Sequence, residues 1–160
     1  MQINIGLTES QRQGSIELLN LLLSDEYVLY TKTRNFHWNV TGRRFHDLHL
    51  FFETQYKELE EMIDQVAERV RQLGGFPMAS LTQFLEHTRL AEELEIKEDS
   101  QEMLQKLTQD HEALIRSLRD DAHLAGAKFE DKGTEDFLLG IMTRHEKMAW
   151  MLRSMTEKQP

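Results

Sequence analysis

Residues 36–75 read FHWNVTGRRFHDLHLFFETQYKELEEMIDQVAERVRQLGG, and this stretch decides the fold. Its spacing predicts one long helix from about Arg43 to Leu73. The helix is entered through a turn at Asn39-Val40-Thr41-Gly42 and stopped by Gly74-Gly75 with Pro77 close behind. His49, Glu53, Asp64 and Glu68 lie along it. At about 100° per residue the last three sit about 40°, 60° and 100° round from His49, so all four share one face. His37 stands just before the turn, within reach of the start of that helix. Imidazole with carboxylates is a ligand set suited to Fe(II), Zn(II) or Mn(II).

Length along the helix then constrains the architecture. His49 and Glu53, one turn apart, can hold an ion together, and so can Asp64 and Glu68. His49 to Asp64 is roughly 22 Å at about 1.5 Å per residue, too far for one site. Two copies of the helix packed antiparallel about a two-fold axis remove the difficulty. The histidine end of one meets the acidic end of the other, giving two equivalent sites per dimer. The site is therefore expected at a subunit interface.

Outward from this helix the chain shows three more of similar length. Thr8-Glu9-Ser10-Gln11 has capping-box spacing, and an apolar face follows at Ile16, Leu19, Leu22/Leu23, Val28 and Leu29, predicting a first helix to about Phe36. Phe76 to Ile96 reads as a long connection with a short helix around Leu81 to His87. Met103, Leu107, His111, Leu114, Leu118, Ala122 and Ala125 recur at threes and fours. A loop through Gly126 and Gly133 then leads to Thr134 as the expected N-cap of the last helix, backed by Glu135 and Asp136. That helix carries Leu138, Ile141/Met142, His145, Met148/Ala149, Leu152 and Met155. Four long helices with one long crossover predict an all-α, ferritin-like four-helix bundle, with a short extra helix in the connection between helices 2 and 3. No repeat, low-complexity stretch or linker divides the chain, so residues 1–160 are expected to form one domain.

A metal site inside the bundle is disfavoured. Di-iron carboxylate bundles of that kind need Glu-x-x-His on two helices, and none occurs here. The nearest variant is Asp120-x-x-His123, which has no mate. His-Glu-x-x-His is absent too: Ile115 follows His111-Glu112 and Ala149 follows His145-Glu146 at the required place.

Phe36-His37-Trp38-Asn39-Val40-Thr41-Gly42, then Phe45, Leu48-His49, Phe52-Glu53, Ile63-Asp64, Ala67-Glu68-Arg69 and Leu73-Gly74-Gly75 resemble the signature of the Dps family, the mini-ferritins. The resemblance implies a dodecameric hollow shell with ferroxidase centres at its two-fold interfaces. It implies that His37, His49 and Glu53 come from one subunit and Asp64 and Glu68 from its neighbour. Asp64 and Glu68, with His49, would hold the first iron of a di-iron centre most firmly. Glu68 would bridge to the second. The family commonly carries Asp where this chain has Glu53, so the longer arm is expected to shift or weaken the second metal. The implied activity is oxidation of Fe(II), with hydrogen peroxide preferred to dioxygen, and storage of ferric mineral. Trp38, beside a ligand, either scavenges radicals or packs an interface.

Simpler readings compete residue by residue. His37 near a helix end complements the macrodipole, and Asp64 and Glu68 form a solvated face paired with Arg69 or Arg71. His111 and His145 sit in apolar stripes and are expected as buried, hydrogen-bonded core residues, with His46, His87 and His123 on the surface. Asp120, Asp121, Glu130, Asp131, Glu135 and Asp136 either line three-fold pores or form a solvated helix-end cluster, and Glu60 and Glu61 are candidate mineral nucleators. Zinc accepts the same ligands, which keeps open a structural, zinc-filled bundle.

Composition bounds the partners. With 28 Asp and Glu against 19 Lys and Arg the formal charge is −9, and the shell multiplies it twelvefold. Met1 to Gln11 carries no basic residue, and after Leu152 only Arg153 and Lys158 do, offset by Glu157. Direct DNA binding is therefore expected to be weak or absent, against the alternative of a nucleoid protein that coats DNA. No apolar run approaches the roughly 20 residues that span a bilayer. No secretory signal is visible in Met1 to Thr8, and cysteine is absent. A bacterial cytoplasmic or nucleoid-associated protein is expected.

Overall fold

The computed structural model describes residues 3–95 and 99–156. Ile96 and the tail residues Glu157 and Lys158 lie outside the described residues, as do Met1 and Gln2. Five helices follow in order: α1 (Glu9–Asn39), α2 (Phe45–Gln72), α3 (Leu81–His87), α4 (Ser100–Ala127) and α5 (Lys132–Met155). Among the described residues there are no strands, and no helix is long and apolar enough to cross a membrane. The four long helices make the bundle, and α3 sits in the crossover against α1.

Each long helix exists because one stripe of it is buried. On α2 the stripe is Leu48, Phe52, Leu59, Met62/Ile63, Val66 and Val70, the spacing of a helix packed along one side. Fully burying a leucine or phenylalanine contributes about 1.5–3 kcal/mol. The opposite face of α2 is left to solvent, and there His49, Glu53, Asp64 and Glu68 are set. Helix α1 differs, because α2, α3 and α4 all lie against it. It buries Asp25, Glu26, Lys32 and Thr33 as well as its leucines.

The ends of the helices follow side-chain chemistry. Thr8 and Gln11 form the expected capping box at α1, with the Gln11 amide oxygen accepting from Thr8 N–H at 2.8 Å. α1 continues to Asn39, one turn beyond the expected end near Phe36, and carries His37 in its last turn. Helix α2 stops as expected: Gly74 takes φ 87°, which a side chain would resist, and the N–H of Gly75 closes onto Val70 O at 3.0 Å.

The α4–α5 connection corrects the sequence reading. Gly126 lies inside α4 and Gly133 inside α5, so the turn is residues 128–131. The N-cap of α5 is Asp131, not Thr134. Its carboxylate accepts from Thr134 N–H at 2.9 Å and from Thr134 Oγ1 at 2.6 Å. An aspartate three residues earlier reaches the free N–H groups and recruits Lys132 and Gly133 into the first turn.

Two polar networks, each reaching buried carboxylates, fix the helices against one another. Arg89 ties the crossover down: it donates to Asp25 Oδ2 and Asp121 Oδ2, both at 2.8 Å, while its backbone N–H reaches Asp25 Oδ1 at 2.6 Å. Inside the bundle, Glu26 of α1, His145 of α5 and His111 of α4 form a line. His145 Nε2 lies 2.7 Å from Glu26 Oε1, and the two histidine Nδ1 atoms lie 2.9 Å apart. The expectation that both histidines are hydrogen-bonded core residues holds. Burial, with His145 alongside, pushes the His111 imidazole well below its usual range and keeps it uncharged.

Candidate metal centre

His37 and His49 meet across the α1–α2 turn. Val40 N–H closes α1 onto Phe36 O at 2.9 Å, and Gly42, at φ 94°, reverses the chain. Arg44 holds the turn from below by donating to Met155 O at 2.9 Å. The turn stacks the two imidazoles with centroids 3.8 Å apart and planes 22° from parallel. Tyr56 meets the outer face of His37 edge-on at 5.2 Å, and Phe45 covers His49 at 5.2 Å.

The hydrogen bonds are reciprocal. His37 Nδ1 lies 2.8 Å from His49 O, and His49 Nδ1 lies 2.8 Å from His37 O. A carbonyl oxygen only accepts, so each Nδ1 carries a proton, and in the neutral ring it is Nε2 that offers a lone pair. Metal-ligating histidines are oriented in this way, with the second nitrogen donating to a carbonyl or carboxylate. His37 does stand in the last turn of α1, where the macrodipole reading puts it, while its ring is tied to α2 and not to the carbonyls ending α1.

Glu53 lies one turn along α2, half-exposed, with its carboxylate paired to Lys57. That hydrogen bond and the Lys57 charge, with smaller help from His37 and His49, hold the carboxyl below its usual range. Asp64 and Glu68 are exposed at the far end of the same helix. Neither expected arginine partner takes them. Arg69 binds Thr134 Oγ1 at 3.0 Å and Asp131 at 3.4 Å, while Arg71 donates to Gly75 O at 2.6 Å and lies over Phe76. Asp64 borders an open cleft with Tyr27, Lys57 and Glu60, and Glu68 borders another with Arg69 and Asp136.

Within one subunit His37, His49 and Glu53 therefore lie at one end of α2 and Asp64 and Glu68 at the other. Among the described residues no group of three His, Asp or Glu side chains converges to hold a metal within the chain. Trp38 turns its indole to solvent, 63% exposed, with the Arg34 guanidinium 5.1 Å from the ring.

The acidic cluster near α5 is mostly committed within the chain, which narrows the pore reading. Asp121 is buried on Arg89, and Asp131 is buried as the α5 cap. Glu130 accepts from Gln11 at 2.6 Å, and Glu135 from Lys132 at 2.7 Å. Asp120 and Asp136 remain exposed. Of the proposed nucleators, Glu61 is held by Arg144 at 3.1 Å and by Gln65 at 3.0 Å. Glu60 has no hydrogen bond or ion pair among the described residues.

The ferritin-like domain family matches residues 16–159. The DNA protection during starvation protein 2 of Bacillus anthracis is 40% identical over 139 residues, covering 87% of this chain and 94% of the relative. The chain belongs to the Dps family.

An uncharacterised low temperature-induced protein of Nostoc is 50% identical over 159 residues, covering 99% of this chain and 89% of the relative. Among solved Dps structures, DpsC from Streptomyces coelicolor aligns over 100% of this chain and 93% of its own, with TM-score 0.94 and 30% identity. The Dps protein of Vibrio cholerae, described as a member of the ferritin-like diiron-carboxylate superfamily, aligns over 98% of both chains with TM-score 0.90 and 32% identity. The fold of this Dps chain is the ferritin-like bundle that its helix periods predict.

Proposed function

We propose that this Dps protein is a ferroxidase that oxidises Fe(II), stores the ferric product inside a dodecameric shell, and shields DNA by removing iron and peroxide. The carrying observation is the reciprocal His37–His49 lock, which leaves two imidazole lone pairs free beside Glu53. Antiparallel pairing of two α2 helices sets His49 level with Glu68 of the second copy and Glu53 level with its Asp64. Each of the two resulting sites then has His37, His49 and Glu53 from one subunit and Asp64 and Glu68 from the other.

The chemistry follows from the donors. Hard carboxylate oxygens favour Fe(III) over Fe(II), so iron held there gives up an electron readily. Two Fe(II) ions in one site deliver one electron each to hydrogen peroxide. The O–O bond breaks, two protons are taken up, and two waters form. Delivery of both electrons together avoids the hydroxyl radical that a single-electron step releases, and two irons match the two electrons peroxide needs to become water, where dioxygen needs four. Zinc fits the same donors and competes with iron as an inhibitor. The acidic surface opposes direct DNA coating, and the chain is assigned to the bacterial cytoplasm as one domain.

The test is stopped-flow Fe(II) oxidation, with peroxide and with air, on wild type and on the Asp64→Ala/Glu68→Ala variant, with assembly checked by size exclusion. Fast peroxide-driven oxidation in wild type, lost in a variant of unchanged size, is the expected result. Oxidation by wild type no faster than in buffer sinks the proposal and leaves a zinc-filled structural bundle as the better account.

A further inference from the structure

We propose that Lys57 couples assembly to metal binding: within one subunit it occupies Glu53, and in the two-fold pair it crosses to Glu60 of the second copy and frees Glu53. The inference rests on the antiparallel α2 pairing above and deepens that reading.

Three observations on one helix carry it. Lys57 is exposed and ion-paired with Glu53, the ligand on which the second metal position depends. A Glu followed by Lys four residues on is the favourable helical order, so the pair forms unaided in a lone subunit. An ammonium seated on a ligand carboxylate both occupies the oxygen and repels an arriving dication. A metal arriving at the second position must therefore displace Lys57 from Glu53.

The register supplies its destination. Lys57 lies four residues after Glu53, and Glu60 lies four residues before Asp64. In antiparallel helices equal steps inward from an opposed pair meet, so the pairing that sets Glu53 level with the partner's Asp64 sets Lys57 level with Glu60 of the partner. At about 100° per residue Lys57 and Glu60 fall about 80° and 20° round from His49, inside the stripe that holds the ligands. Glu60 is also the available carboxylate there. Glu58 and Glu61 are both taken by Arg144, whereas Glu60 has no ion pair or hydrogen bond among the described residues. Each two-fold axis thus gathers two Lys57–Glu60 pairs between its two metal centres.

The experiment is anaerobic Zn(II) titration, with zinc as a redox-silent probe, on assembled wild type, Glu60→Gln and Lys57→Met/Glu60→Gln, with assembly followed by native mass spectrometry. In Glu60→Gln the lysine keeps to Glu53, and the second zinc equivalent of each site weakens about two- to threefold, as competition from one exposed i,i+4 pair allows. Removing the lysine as well restores it. Should Glu60→Gln fail to assemble while the double variant assembles, an unpaired Lys57 at the axis is the cause and the inference stands. Glu60→Gln with both zinc equivalents as in wild type overturns it, as does failure of both variants to assemble. Should wild type hold no zinc that Asp64→Ala/Glu68→Ala abolishes, the two-fold site is itself refuted and the inference goes with it.

Discussion

Replacing Arg89 by methionine keeps the length of the side chain and removes its charge. Asp25 is wholly enclosed and the Asp121 side chain is 9% exposed, so neither carboxylate has water to replace the guanidinium. The Arg89 side chain is itself 31% exposed, so solvent screens part of the loss, and leaving the two enclosed carboxylates without it costs about 1–3 kcal/mol, still a sizeable share of the ~5–15 kcal/mol that holds a domain together. Burial already pushes the Asp121 carboxyl above its usual range, with Arg89 pulling it back, so without Arg89 it rises further. A carboxyl whose folded pKa is raised is destabilising above its unfolded pKa, and the cost fades as pH falls through the folded value. The Arg89→Met deficit is thus full at neutral pH and shrinks on mild acidification. Adding Asp25→Asn and Asp121→Asn removes both charges while leaving an oxygen at residue 25 for the Arg89 N–H and the Thr88 hydroxyl, and it recovers most of the loss. Urea unfolding followed by circular dichroism, at matched subunit concentration because assembly adds stability, measures each variant. A deficit under about 1 kcal/mol at pH 7, or one that grows on acidification, would refute the reasoning.

Asp131→Ala removes the α5 cap and lowers stability by about 0.5–2 kcal/mol in thermal unfolding at neutral pH. Burial raises the Asp131 carboxyl, but the hydrogen bonds from the Thr134 hydroxyl and N–H and the charge of Arg69 outweigh it and leave the group below its usual range. Its contribution is present above the unfolded pKa and is lost as pH falls through the folded one, so wild type and variant converge in strong acid. At Gly14 an added Cβ would stand 2.2 Å from the Phe129 ring, so Gly14→Ala costs about 1–3 kcal/mol of packing strain despite its better helix propensity, read by the same unfolding assay. In a gel-shift series across salt, a DNA duplex is expected to run unshifted at physiological ionic strength, and retention there would reveal a basic patch that the formal charge of −9 conceals.

The bundle was legible wherever apolar residues recur at threes and fours, and so was the face of α2 that His49, Glu53, Asp64 and Glu68 share, because helical phase depends on residue number alone. The start of α5 was not. Gly133 suggested a loop and Thr134 a cap, and only the Asp131 side chain, folded back over the turn, settles where the helix begins. The site residues were legible as types, while the means of aiming them was not. The two Nδ1–carbonyl bonds depend on how tightly residues 40–44 reverse the chain, which no spacing rule records. The Glu53–Lys57 pair is legible in the sequence as an i,i+4 pair of opposite charge.

Under the proposed pairing, the distance between the two ends of α2 has a consequence for the cell. A subunit fresh from synthesis would hold one half of a centre at each end of a rigid rod and could complete neither. On the proposed reading iron chemistry begins only when another copy docks, and docking is also the first step in building the container. Insoluble ferric product is then made only by assemblies on their way to enclosing it, and a cell needs no separate inhibitor to keep unassembled chains idle.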